Sequence, residues 1–143
     1  MLIVDDALLL RVLALTAPEE FLDEARSGQV FTTGSWYYRL AKAVAQPKVA
    51  GALSTAMAAL PPIGQERARA GLHSLPPIIG MIDLRTLVPT MAALNVDRPL
   101  NLLAAEATAA AVLLDAGLVV TTNVPLIEGA AVQLGLTYRV IGS

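Results

Sequence analysis

The chain has 143 residues, 55% of them apolar, and a formal net charge of −2 from 10 basic and 12 acidic side chains. This length predicts a single domain over residues 1–143 with a sizeable core, and the apolar share excludes a disordered chain. With no cysteine and one histidine, His73, disulfides, thiolate metal sites and His-rich zinc sites are excluded. The slightly negative charge gives no general attraction for nucleic acid, so any RNA contact has to be local.

Apolar periodicity and turn residues divide the chain into alternating strands and helices. The first strand covers Leu2–Val4, and Asp5-Asp6 then caps a helix from Ala7 to about Leu15. A helix from Pro18 to about Ser27-Gly28 and a strand over Gln29–Thr33 follow. Next come three helices, over Trp36–Ala45, Val49–Leu60 and Gln65–Leu75, then a strand over Ile78–Ile82 and a helix over Leu84–Leu94. The last part contains a helix beginning near Leu100, a strand beginning at Leu118, a helix over Leu126–Leu134 and a strand over Thr137–Ile141. This alternation predicts an α/β fold of three layers, α/β/α, with a central parallel sheet of four or five strands.

Neither end of the chain nor its most apolar stretch predicts a membrane segment. An acidic pair stands by the fifth residue with no basic stretch before an apolar core, so we expect no signal peptide. Residues 100–120 have the length of a membrane span, but they contain Glu106 and Asp115 and are rich in alanine, which favours a buried helix followed by a strand. We therefore expect a cytoplasmic protein with no membrane partner.

Polar residues stand where strands end. Asp5 and Asp6 follow the first strand, and Thr121 and Asn123 follow the strand that begins at Leu118. The carboxyl ends of parallel strands are where ligands collect in open sheets, so these side chains are candidate site residues. Glu106 interrupts an apolar helical stripe, and a buried carboxylate requires a cation, a metal or a proton.

Each of these candidates also has a structural interpretation. The Glu106 helix could be rotated so that the carboxylate lies at a solvated edge, since the stripe fixes its face only to within about a turn. Asp5-Asp6 could serve only as a helix cap, and Thr121 and Asn123 could be ordinary turn residues.

Three aromatic residues, Trp36-Tyr37-Tyr38, precede a local basic stripe of Arg39, Lys42 and Lys48. Such aromatics stack on bases in proteins that bind single strands. Three consecutive residues cannot all face one way on a helix, so core packing of at least one is favoured. Solvated surface is the favoured interpretation of the basic stripe.

The sequence resembles the PIN domain, the metal-dependent nuclease fold of the VapC-type toxins of bacterial toxin–antitoxin pairs. The resemblance covers most of the chain. It is clearest in Leu2-Ile-Val-Asp5 with Leu8-Leu9-Leu10, in Gly28-Gln-Val-Phe-Thr-Thr with Leu40-Ala-Lys-Ala, in Ala105-Glu106-Ala-Thr-Ala-Ala-Ala, in Leu118-Val-Val-Thr-Thr-Asn and in Leu134-Gly135-Leu136. It implies a cytoplasmic endoribonuclease in which acidic residues hold Mg²⁺ or Mn²⁺ for RNA phosphodiester cleavage. It also implies a homodimer and an antitoxin-like protein partner.

Carried over residue by residue, the resemblance places the metal ligands at Asp5, Glu106 and Asn123, with Thr121 in support. Asp6 is a further ligand if its side chain turns inward. The family's second acid falls at or beside Arg39, and its fourth acid is replaced by the neutral Asn123. A hard divalent cation prefers several anionic oxygens, so this set predicts weak or absent metal binding and catalysis.

Two hypotheses from different classes follow. One is a VapC-like endoribonuclease that uses Asp5, Glu106 and Asn123. The other is a catalytically degenerate PIN-like protein that binds a protein or RNA, with Arg39 in place of the metal. In the second case we expect the Arg39 guanidinium to be largely buried and within hydrogen-bond reach of Asp5 or Glu106. A flavodoxin-like or nucleotide-binding domain is a weaker third idea, because the chain lacks a Gly-rich phosphate loop.

Overall fold

A computed structural model describes residues 1–46 and 51–142 of the chain. Its five strands are β1 (Leu2–Val4), β2 (Val30–Thr32), β3 (Ile79–Met81), β4 (Gly117–Val120) and β5 (Tyr138–Val140). The helices in this part of the chain are α1 (Asp6–Leu13), α2 (Glu19–Arg26), α3 (Gly34–Ala45), α4 (Ala52–Ala59), α5 (Pro62–His73), α6 (Leu84–Asp97), α7 (Leu102–Leu114) and α8 (Pro125–Leu134). Lys48, and the predicted helix start at Val49, lie outside the described residues.

The five strands form one parallel sheet in the order β3-β2-β1-β4-β5. β1 lies at the centre, with Ile3 opposite Phe31 of β2 and opposite Leu118 of β4. The chain builds the sheet outward from β1 in one direction and then in the other, so the strand order reverses between β1 and β4. Ligands bind at such a reversal point, beyond the carboxyl ends of the two strands, in doubly wound sheets.

Helices cover both faces of the sheet, which confirms the predicted three-layer α/β/α fold. The strands alternate between two cores, because successive side chains of a strand point to opposite faces. Val4 and Val119 pack in the core that contains α1, α2, α4 and α5, whereas Ile3 and Leu118 pack in the core that contains α6, α7 and α8. α3 contributes Leu40 to the first core and Trp36 to the second, so it stands at the margin between the two layers.

One predicted boundary differs from the structure for a reason of helix geometry. α5 begins at Pro62 and not at Gln65, because a proline without an amide hydrogen fits the first position of a helix. The segment considered for a membrane span divides, as predicted, into α7 and β4, and α7 is buried on all sides from Ala104 to Ala111. No helix among the described residues is long and apolar enough to cross a membrane.

Candidate functional site

Asp5 connects the two strands between which the strand order reverses. It follows β1 and caps α1, since its Oδ1 accepts a hydrogen bond from the Leu8 amide at 2.9 Å. Its Oδ2 accepts two more, from the backbone amide of Thr121 at 2.7 Å and from the Thr121 hydroxyl at 2.8 Å. Asp5 and Thr121 are both buried. The carboxylate is thus both the helix cap considered from the sequence and a direct link between the ends of β1 and β4.

Asp6, the first residue of α1, is a buried carboxylate with one unsatisfied oxygen. Its Oδ1 accepts from the Ala7 amide, while its Oδ2 has no hydrogen-bond partner in the described part of the chain. The nearest cation is Arg39, whose Nε lies 3.4 Å from Oδ2. Burial raises the pKa of the Asp6 carboxyl above its ordinary value of 3.8, and the neighbouring Asp5 adds to this, while Arg39 opposes it. Of the three acids at this edge, Asp6 is the least well compensated.

Glu106 lies inside α7 with only 2% of its surface exposed. Its Oε1 accepts a hydrogen bond of 2.8 Å from the backbone amide of Ser35, in the first turn of α3. A carboxylate at the amino end of a helix is stabilised by the helix dipole and by the free amides there. The alternative of a rotated helix with a solvated Glu106 is therefore wrong. The residue joins α7 to the carboxyl end of β2, next to β1.

Asn123 lies apart from these contacts. It is exposed, and its Oδ1 accepts from the hydroxyl of Tyr138 in β5, which also accepts from the Val124 amide at the start of α8. Burial is the main cause that raises the pKa of the Tyr138 hydroxyl. Asn123 is therefore an ordinary turn residue: it stabilises the loop between β4 and α8, and its amide oxygen is bound to the Tyr138 hydroxyl.

The expectation of a largely buried Arg39 that contacts Asp5 or Glu106 is wrong. Its side chain is 57% exposed, and its partner is Asp6. Tyr38, which precedes it, is 66% exposed. Trp36 is instead the buried member of the aromatic trio, and the Tyr37 hydroxyl donates to the Leu72 carbonyl at 2.6 Å. Core packing of at least one aromatic is confirmed.

Three residues at the carboxyl end of β2 contribute to the site although the sequence did not identify them as candidates. Thr33 caps α3 through the Trp36 amide, Thr32 donates its hydroxyl to the Val4 carbonyl, and Ser35 supplies the amide that Glu106 needs. A threonine directly before a helix is a recognisable capping signal. The contact between Ser35 and Glu106 joins residues 71 positions apart, and its donor is a backbone amide. The residue type at position 35 therefore gives no signal from which this contact could be predicted.

The donor set at this edge fits a divalent cation poorly. Among the described residues, no group of three or more Asp, Glu or His side chains is arranged to hold a metal ion. Asp5 already accepts three hydrogen bonds, and the amide oxygen of Asn123 accepts from Tyr138. A hard cation would have to compete with these donors and with the positive charge of Arg39. The arrangement is better suited to holding strand and helix ends together.

No protein-family model matches the chain, and no curated protein matches it.

Proposed function

We propose that the chain is a PIN-like, VapC-like protein that binds RNA beside the carboxyl edge of its sheet without cleaving it. The PIN-like part rests on the sequence resemblance, and a central parallel sheet with acids at the reversal between β1 and β4 is compatible with it. A homodimer and an antitoxin-like partner, which the resemblance also implies, stay predictions.

The observation that carries the proposal is the exposed guanidinium of Arg39 where the resemblance implies a metal-binding acid. Arg39 adds a positive charge to the edge at the position of that acid, and its Nε lies 3.4 Å from the otherwise unpartnered Asp6 oxygen. An arginine in solvent attracts a phosphodiester and can bind it through two hydrogen bonds, but it cannot activate water as a metal ion does. The change thus favours holding phosphate over cleaving it.

The surroundings of Arg39 on α3 suit a short stretch of single-stranded RNA. Tyr38 precedes it and presents an exposed ring, and Lys42 lies one helical turn away, also exposed. An aromatic ring on which a base stacks, next to cations that contact phosphates, is the usual combination in proteins that bind single strands. The contact is local, as the overall charge of −2 requires.

A second candidate is a VapC-like endoribonuclease, and the free oxygen of Asp6 is the observation that favours it. Within the described residues, the buried Oδ2 of Asp6 has no hydrogen-bond partner, and the Glu106 carboxylate accepts a hydrogen bond at Oε1. In this case Asp5, Asp6 and Glu106 would hold Mg²⁺ or Mn²⁺, which supplies an activated water when bound. Asn123 would have to leave the Tyr138 hydroxyl to join them. Arg39 would then have to swing away from Asp6.

One experiment separates the two candidates. A fluorescently labelled single-stranded RNA is titrated with the protein in EDTA and in Mn²⁺, binding is followed by anisotropy, and integrity is followed on a denaturing gel. We expect binding in EDTA, weakened about tenfold by Arg39→Ala through loss of a charge-assisted contact, with the RNA intact in Mn²⁺. Arg85→Ala, an exposed arginine on α6, is the matched control and should leave binding unchanged.

Two outcomes contradict the proposal. Chelator-sensitive cleavage that Asp5→Ala and Asp6→Asn both abolish would establish the nuclease in its place. Absence of RNA binding, or binding that Arg39→Ala does not alter, would refute the role of this α3 surface.

A further inference from the structure

A groove runs between α3, α4 and α5 on the side of the molecule that carries Lys42. It consists of two adjoining compartments of about 320 Å³ and about 220 Å³, which share Ala43 and Ser54 as a common wall. Together they fall in the size range of small-molecule sites, about 300–1,000 Å³. We refer to these two compartments as the α3–α5 groove.

The cations of the α3–α5 groove stand on either side of its shared wall. Arg39 and Lys42 line the first compartment only, whereas Arg69 of α5 lines the second only. Among the described residues that line the two compartments, none is acidic, and neither Lys42 nor Arg69 forms an ion pair there. The positive charges are thus available to a ligand at two separate places.

Between the cations the lining is mixed: apolar side chains lie beside two amides, Gln46 in the first compartment and Gln65 in the second. Leu53 lines the first compartment, Val44 and Met57 line the second, and Ala43 belongs to both. Ser54, also common to both, adds a single hydroxyl in the middle. Apolar walls with a few polar groups at fixed places are characteristic of sites for small organic ligands.

We propose that the α3–α5 groove binds a small molecule with two anionic groups joined by an apolar spacer, of the class of the medium-chain dicarboxylates. One anionic group pairs with Lys42 and the other with Arg69, while the spacer lies over Ala43 and Met57. Lys42 is shared with the proposed RNA-binding surface, but Arg69 and Met57 belong neither to that surface nor to the acids of the sheet edge, so the proposal does not depend on RNA binding or on metal.

The test compares two ligands of equal length by isothermal titration calorimetry: decanedioate, with a carboxylate at each end, and decanoate, with one. We expect saturable binding of decanedioate, about tenfold tighter than that of decanoate, because the second charge-assisted contact is worth a factor of this order. Arg69→Gln and Lys42→Gln should each remove this advantage and bring decanedioate to the affinity of decanoate. Both side chains are exposed, so the melting temperatures of the variants should match that of the unmodified chain.

The matched control is Arg67→Gln, an exposed arginine of the same helix that lines a different depression, beside Leu15 and Pro76. It should leave binding of decanedioate unchanged. The proposal is overturned if decanedioate does not bind, if decanoate binds equally well, or if Arg67→Gln weakens binding as much as Arg69→Gln does. Since no RNA enters this experiment, its failure would leave the RNA-binding proposal untouched.

Discussion

Asp5→Ala removes three hydrogen bonds at once, and two of them come from backbone amides that then have no acceptor. Loss of the helix cap at the Leu8 amide costs about 1 kcal/mol. The Thr121 amide and hydroxyl lose their shared acceptor in a buried place, and a buried donor left unsatisfied costs about 1–3 kcal/mol. We therefore expect Asp5→Ala to lower the free energy of unfolding by about 3–7 kcal/mol, a large part of a domain's stability.

The chain offers a matched control for the capping contribution alone. Asp83 caps α6 through one hydrogen bond to the Thr86 amide at 2.9 Å, but it is exposed and has no link to a strand. Asp83→Ala should cost about 1 kcal/mol, the usual cost of a lost cap. The difference between the two variants then measures the bonds from Asp5 to Thr121.

Urea unfolding at neutral pH measures both effects, with fluorescence of the single, buried Trp36 as the signal. Thr121→Val keeps the backbone amide and removes the hydroxyl, so in the Asp5→Ala background it should cost much less than in the unmodified chain. The reasoning is refuted if Asp5→Ala costs no more than Asp83→Ala, or if the costs of Asp5→Ala and Thr121→Val simply add.

Three further substitutions test single contacts. The pKa of the Asp6 carboxyl is raised in the folded state, so the folded protein holds this proton more tightly than the unfolded chain does. Ionisation of Asp6 therefore lowers the free energy of unfolding as pH rises. Asp6→Asn should remove that decrease in urea unfolding measured from about pH 4 to about pH 7. Thr108→Val should raise the free energy of unfolding by about 1 kcal/mol, because the buried Thr108 hydroxyl has no partner among the described residues; a loss in urea unfolding would contradict this. Gly80→Ala should lower the melting temperature and cost about 1–3 kcal/mol, because the new Cβ would overlap the ring of Phe31 on the neighbouring strand, and an unchanged melt would show that the ring moves freely.

Sequence patterns predicted the elements and their layers well, since the signals for these are local. Alternation of strands and helices implies a parallel sheet, and the apolar run at Leu118 and the alanine-rich stretch after Asn101 identify β4 and α7. The placement of Asp5 and Thr121 at one edge follows from the same rule, because both come directly after strands of one parallel sheet. The pairing of β1 with β4 needs the strand order, which periodicity does not contain.

The surroundings of Arg39 could not be predicted from the sequence because Arg39 lies at the margin of the buried face of α3. Trp36 and Leu40, four residues apart, share that face, although Trp36 enters one core and Leu40 the other. Arg39 lies about 60° around the helix from Trp36, where a small rotation decides between burial and exposure. The long Arg39 side chain makes the exposed position possible, because its Nε can approach Asp6 while most of the side chain stays in water.

The three edge acids differ in how their charge is balanced, and this difference gives position 39 its importance. Asp5 has three donors and Glu106 has an amide at the start of α3, whereas the Asp6 Oδ2 faces only the charge of Arg39. An acid at position 39 would set a like charge against this buried oxygen, which is unfavourable unless a cation enters between them. A metal ion and the arginine are thus alternative sources of positive charge for this buried oxygen, and in this structure the Arg39 Nε supplies it at 3.4 Å.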